Sequence, residues 1–209
     1  MNVRLEALAS EAPERPQVTD QQWTLAVIST PLPFGAYRPA GLVTKARYEE
    51  ANAVLSGALT SWLKAIEPVG MREDGIRLEV MVENQRQQVV LFEDGTIMLL
   101  RRATESPVQR GAVRNLVWDV LTAQHKLLAP SIVEARLRMV WRAGRISLRD
   151  VDAGGEKVLN APRDWRGTTE VMLQSEDSRR EGADHLIARW WRASGGLDFD
   201  PPVGTPEAV

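Results

Sequence analysis

The side chains that most often do chemistry are scarce in this chain of 209 residues, which has no Cys and two His, His125 and His185. Without Cys, thiolate nucleophiles, disulfides and Cys-based zinc sites are excluded, and a reducing compartment is expected. The two His are far apart in sequence and no HExxH pair occurs, so a transition metal has little to hold it. Both fall on predicted helices, where a solvated imidazole is explanation enough. Neither glycine-rich phosphate-cradling motif is present, and no Ser stands in a nucleophile-elbow context. The acidic pairs Glu93-Asp94 and Glu176-Asp177 lie where a turn and a helix start favour carboxylates. The expectation is a protein that is not an enzyme, with no catalytic residue, no metal and no cofactor.

One constellation has binding chemistry. If residues 131–149 form a β-hairpin, Arg136, Arg138, Arg142, Arg145 and Arg149 share its outward face, a cationic ribbon able to track phosphates. Against this stand a formal net charge of −2 and a pI near 5.8, which give no global field toward nucleic acid. Arg is also abundant throughout, with four Lys among 26 basic residues. A charged sheet face guarded against aggregation is the favoured explanation, and nucleic-acid binding is the alternative.

The elements that would position any site centre on Ile76 to Leu128. Ile76, Leu78, Val80 and Val82 alternate with Arg77, Glu79 and Glu83, the period of a half-buried strand, with Met81 breaking the outer row. Val89-Val90-Leu91-Phe92 leads into Glu93-Asp94-Gly95, where Gly95 can take the positive φ that closes a hairpin, and Thr96 to Arg101 returns beside it. Val89, Leu91, Ile97 and Leu99 point one way, while Val90, Phe92, Met98 and Leu100 point the other. Both faces of this meander therefore need cover. A long helix follows, with Ser106 as N-cap, Pro107 in its first position, Gln109 completing a capping box and Pro130 as its stop. Its apolar face carries Val113, Leu116, Val117, Val120, Leu121, Leu127 and Leu128, with Trp118 outside that arc.

Upstream, Trp23 to Ser29 has strand character, and a Pro/Gly loop from Pro31 to Gly41 follows it. Thr44 to Ile66 reads as a helix with Tyr48, Leu55, Leu59 and Trp62 on one face, ended by Glu67-Pro68. Downstream, Ser131 to Arg142 supports either a short helix or a strand. The strand is preferred, because it pairs through Ala143-Gly144 with Arg145 to Arg149, which a helix would leave without a neighbour. Asp152 to Gly167 reads as a polar insertion, and Thr169 to Leu173 as one more strand or the start of the last helix, with the strand preferred. The last helix, about Asp177 to Ala193, buries Ala183, Leu186, Ile187 and Trp190, and Gly195-Gly196 caps it.

With 44% hydrophobic residues the chain supports one good core. The expected organisation is a flexible N-terminus over residues 1–20, a single α+β domain over 21–194 and a flexible tail over 195–209. No secretory signal or membrane-length apolar run is seen, so a cytoplasmic protein without membrane contact is expected.

The order helix, three-strand meander, long helix, hairpin and last helix resembles the YbjN family and, more distantly, the type III secretion chaperones. Val89-Val90-Leu91-Phe92-Glu93-Asp94-Gly95 is similar to that family's hydrophobic strand and acidic turn. Arg114-Asn115-Leu116-Val117-Trp118-Asp119 is similar to its Asn-containing central helix. The resemblance implies an antiparallel sheet packed with about three helices, in the order α-β-β-β-α-β-β-(β)-α. It also implies a non-enzymatic, chaperone-like or adaptor homodimer that holds a segment of a client protein on apolar surface. On that footing Val113, Leu116, Trp118 and Val120 are expected at the dimer interface, and Met81, Phe92 and Met98 at the client, since unbranched Met repacks readily.

Overall fold

A computed structural model of the chain describes residues 22–32, 53, 67–72, 75–82, 85–92, 94–104, 106–128, 133–152 and 155–196, those of the second and third strands by their backbone alone. The fold is α+β. Among the described residues ten strands and two long helices run in the order β1 (Trp23–Leu32), β2 (Glu67–Arg72), β3 (Gly75–Val82), β4 (Gln85–Phe92), β5 (Ile97–Ala103), β6 (Val108–Gln109), α1 (Arg110–Leu128), β7 (Glu134–Ala143), β8 (Ser147–Asp152), β9 (Gly155–Asn160), β10 (Asp164–Met172) and α2 (Glu176–Ala193). Seven strands make one sheet in the spatial order β10-β7-β1-β5-β4-β3-β2, antiparallel at every step, and β6-β8-β9 make a second, small one.

The meander is present as β3-β4-β5. Gly95 adopts φ of 79° at the β4–β5 turn, and the Asp94 carboxylate accepts the Thr96 N–H at 2.9 Å, which is how a short acidic side chain fixes a tight turn. The N-terminal strand proves central, because β1 lies between β5 and β7 and joins the meander to the C-terminal half. β2 is a strand where the sequence suggested only a helix stop. It occupies the sheet edge, with a register shift between Pro68 and Gly70, the setting in which a residue without an N–H is tolerated. The expected helix over Thr44 to Ile66 and the Pro31 to Gly41 loop lie largely outside the described residues.

Two expectations are corrected. Residues 134–143 do form a strand, yet β7 does not pair with β8. Both edges of β7 are taken, by β1 along Glu134–Ala143 and by β10 along Glu134–Arg142, so the chain leaves the sheet after Ala143 and builds the small sheet instead. The capping box is the second. The Ser106–Pro107 peptide is cis, and Val108–Gln109 pairs in parallel with Leu148–Arg149, so α1 starts at Arg110. The Ser106 hydroxyl accepts the Ser147 N–H at 3.3 Å rather than capping the helix. The polar insertion over 152–167 supplies β9 and the first turn of β10.

Both helices lie on one face of the large sheet. Trp23, Leu25, Val27, Val89, Leu91, Ile97, Leu99, Leu137, Met139 and Trp141 meet Val113, Leu116, Val117, Val120 and Leu121 of α1 and Leu186, Ile187 and Trp190 of α2. Trp23 stacks on Trp141 with centroids 5.2 Å apart, and Trp190 tilts onto Trp141 at 4.9 Å, an aromatic column linking β1, β7 and α2. Gly182 lets α2 close on the sheet, since a Cβ there would stand 2.5 Å from Val171 Cγ2. Ser175 caps α2 by accepting the Ser178 N–H at 3.1 Å, with Glu176 and Asp177 in its first turn.

Candidate functional site

Strand alternation divides the large sheet into two faces of different chemistry. On the helix side burial is nearly complete, and one buried amide there is fully hydrogen-bonded while others, such as the Gln87 side chain, have no partner among the described residues. Gln124 of α1 is fully buried, donates to the Ser29 and Gly95 carbonyls at 3.0 and 2.9 Å, and accepts the Ser29 hydroxyl at 2.5 Å. A side chain in that position ties α1 to the end of β1 and to the β4–β5 turn together. Gln124 was not anticipated from the sequence, because a lone Gln within a broad apolar arc carries no signal until the carbonyls it meets are known.

The four residues expected at a dimer interface lie on this side. Val113, Leu116 and Val120 are buried in the core and turn toward the sheet, which leaves them no surface to offer a second copy. Trp118 is half-buried and sits under two guanidinium groups of α2, Arg179 at 5.7 Å and Arg180 at 5.3 Å from its ring centre. Arg179 is only 7% exposed, donates to the Leu173 carbonyl, and has a buried Nε without a hydrogen-bond partner. Its pKa is lowered, by burial against the smaller opposing pull of Glu176. On the same helix as Trp118, Thr122 Oγ1 and His125 Nδ1 are also buried and without partners. The His125 pKa is lowered, first by burial and then by the charge of Arg179. The helices are further joined where Arg114 donates twice to Asp184, once at 2.9 Å, which raises the Arg114 pKa.

The other face is where a binding surface takes shape. Phe92, Met98 and Leu100 point away from the helices and are half-buried, next to Ile28, Thr30 and Val90, which are buried. Register sets Met98 beside both Val90 and Ile28, and Ile28 beside Arg138, so the apolar centre passes directly into a basic flank on β7. Two of the three residues expected to contact a client, Phe92 and Met98, are therefore on one surface. Met81 lies in β3 opposite Arg86, and its side chain lies outside the described residues.

The cationic ribbon is dispersed. Arg136 pairs with Glu170 at 2.8 Å and Arg149 with Glu156 at 2.8 Å, which neutralises two of the five arginines. Arg145 is exposed in the turn after β7, and Arg149 belongs to the small sheet. Arg138 and Arg142 stay together on the outer face of β7 and have no ion pair among the described residues. The ribbon was read from sequence as one hairpin, and it breaks up because β7 and β8 enter different sheets. The same alternation in β1 and β5 carried the signal for the apolar part of what replaces it, half-buried Met98 and Leu100 next to Ile28, which is itself buried.

Chemically, such a surface offers dispersion contacts from unbranched and aromatic side chains and charge for an acidic group. Among the described residues no group of three metal-capable side chains converges, and no helix is long and apolar enough to cross a membrane. No protein-family model, no curated protein and no solved structure matches the chain.

Proposed function

We propose that the protein is a non-enzymatic, chaperone-like or adaptor protein, a homodimer that binds a segment of a client protein on the outer face of its large sheet. The observation that carries this reading is the placement of Phe92, Met98 and Leu100 on the same outer face as Arg138 and Arg142, across β1 from them, the two arginines having no ion pair among the described residues. A segment bearing an apolar residue and a nearby carboxylate is complementary to it, since Met repacks around varied shapes and Arg fixes the charged end. The reading agrees with what the likeness to the YbjN family implies, with the client contact kept at Phe92 and Met98 and the dimer contact moved away from α1.

Capture from nuclease-treated lysate by the tagged full chain, at low and high salt, tests the reading. One protein should be recovered at both salt concentrations by the wild type and lost with the Phe92→Ser/Met98→Ser variant at unchanged circular dichroism. Equal recovery by that variant would overturn the outer-face assignment. The alternative, a nucleic-acid module, is favoured by the two unpaired arginines. It requires recovery to vanish with nuclease, to fall steeply with salt and to depend on Arg138 and Arg142 instead of Met98.

A further inference from the structure

The outer edge of the large sheet at β10 has no strand beside it among the described residues. Its backbone direction follows from the groups at its two ends. The Arg163 carbonyl accepts from Ala143 and the Leu173 N–H donates to Val133, so odd-numbered residues of β10 face β7. The N–H and C=O groups of Asp164, Arg166, Thr168, Glu170 and Met172 therefore point outward. Two of them are already occupied, the Met172 N–H by Ser178 Oγ at 3.0 Å and the Thr168 carbonyl by Arg189 at 3.2 Å. Arg166, Glu170 and the Thr168 N–H present an open row, the kind of edge that proteins either guard or pair.

We propose that this edge pairs with β10 of a second copy, antiparallel and centred on Thr168, so that two seven-stranded sheets become one. The proposal rests on the homodimer part of the reading above and names its interface. A two-fold axis at Thr168 puts Arg166 of each copy opposite Glu170 of the other, so that each cross-pair would join the charges these groups already meet in their own chain, Arg136 at 2.8 Å from Glu170 and Asp164 at 3.8 Å from Arg166, with Thr168 facing itself. All three are hydrogen-bonding positions in that register, and by symmetry the capped Met172 N–H of each copy bounds the pairing at both ends. On the helix side Gly167 stands opposite Thr169 of the second copy, and the Trp165 ring lies over Gly167 within its own chain, where a Cβ would meet it at 2.3 Å. Arg189 is the group that must share, and a carbonyl oxygen with two lone pairs accepts both its guanidinium and an incoming N–H. A carboxylate-rich client strand would find Glu170 in its path, whereas the chain's own edge is self-complementary.

The test is the mass of the full chain by size exclusion with light scattering at micromolar concentration. The wild type should be a dimer. Arg166→Glu and Glu170→Arg should each weaken it about tenfold, because two attractive pairs become repulsive, and the two variants mixed should dimerise again, since every cross-pair is then opposite in sign. Thr168→Pro deletes only an outward N–H and should give a monomer with unchanged circular dichroism. Arg189→Ala should leave the dimer intact, since the Thr168 carbonyl accepts the incoming N–H with or without the guanidinium. A wild-type dimer indifferent to the charge variants and their mixture would place the contact elsewhere, overturning this interface while leaving the homodimer standing. A wild-type monomer would overturn both, and client capture would still be judged by the outer-face variants.

Discussion

The two faces of the seven-stranded sheet are made from the same strands, often from adjacent residues, and they do different work. Leu99 and Met98 are neighbours in β5. Leu99 is fully enclosed between the sheet and the helices, while Met98 is half-buried on the outer side next to Ile28 and Val90. The helix side has closed aromatic stacking, a satisfied buried amide and a Gly at the closest helix approach, all marks of a surface with one arrangement. The outer side mixes flexible, aromatic and cationic side chains. The contrast teaches that packing against the helices sets the fold on one face, while the proposed client contact rests on the half-buried side chains of the other.

Breaking the helix side should cost most. Trp190→Ala removes one end of the aromatic column and should destabilise the chain by about 3–5 kcal/mol in chemical denaturation. Gln124→Leu should cost about 1–3 kcal/mol, since the Ser29 and Gly95 carbonyls lose their donor inside the core. A loss near zero would mean that α1 is not held by this amide. On the outer side Met98→Ser should change stability by only about 1 kcal/mol.

The smallest effect sharpens the comparison at the α1–α2 junction. Burial and Arg179 lower the His125 pKa, so the folded chain binds that proton less tightly than the unfolded chain does. By linkage, this contribution to stability is complete above the ordinary His pKa of about 6.5 and is lost as pH falls from there through the lower folded value. The charge that acts on it among the described residues is Arg179, which opposes protonation in the same direction as burial. His125→Gln should flatten that part of the stability profile, which thermal unfolding at a series of pH values would show. A profile unchanged by the substitution would assign the slope to other groups.

Much of this contrast was legible in the residues themselves. The alternation in Val89 to Phe92 and Ile97 to Leu100 predicts both faces of β4 and β5, and Gly95 marks their turn. The strand at Trp23 was also visible, because its β-branched and aromatic content is local information. Its central position was not, since pairing with Ala103 and Ala143 brings together residues far apart in the chain. The hairpin of β7 with β8 failed for the same reason. Adjacent strands joined by a Gly turn look self-sufficient until a distant β1 and a later β10 occupy both edges. Similarly, Ser106 and Gln109 have the spacing of a capping box, and only β8 alongside shows that Val108–Gln109 are extended. For the candidate site, Phe92 and Met98 were found from alternation, whereas the company of Arg138 and Arg142 depends on β1 lying between their strands.

The most direct test of the central claim compares Leu99→Ala with Met98→Ser in the same full chain, measuring unfolding free energy and client capture for each. The account predicts that Leu99→Ala costs about 2–5 kcal/mol yet retains capture under conditions where it is folded, and that Met98→Ser keeps its stability and loses capture. A Met98 variant as unstable as the Leu99 variant, or one that captures as well as the wild type, would contradict the division of labour between the two faces.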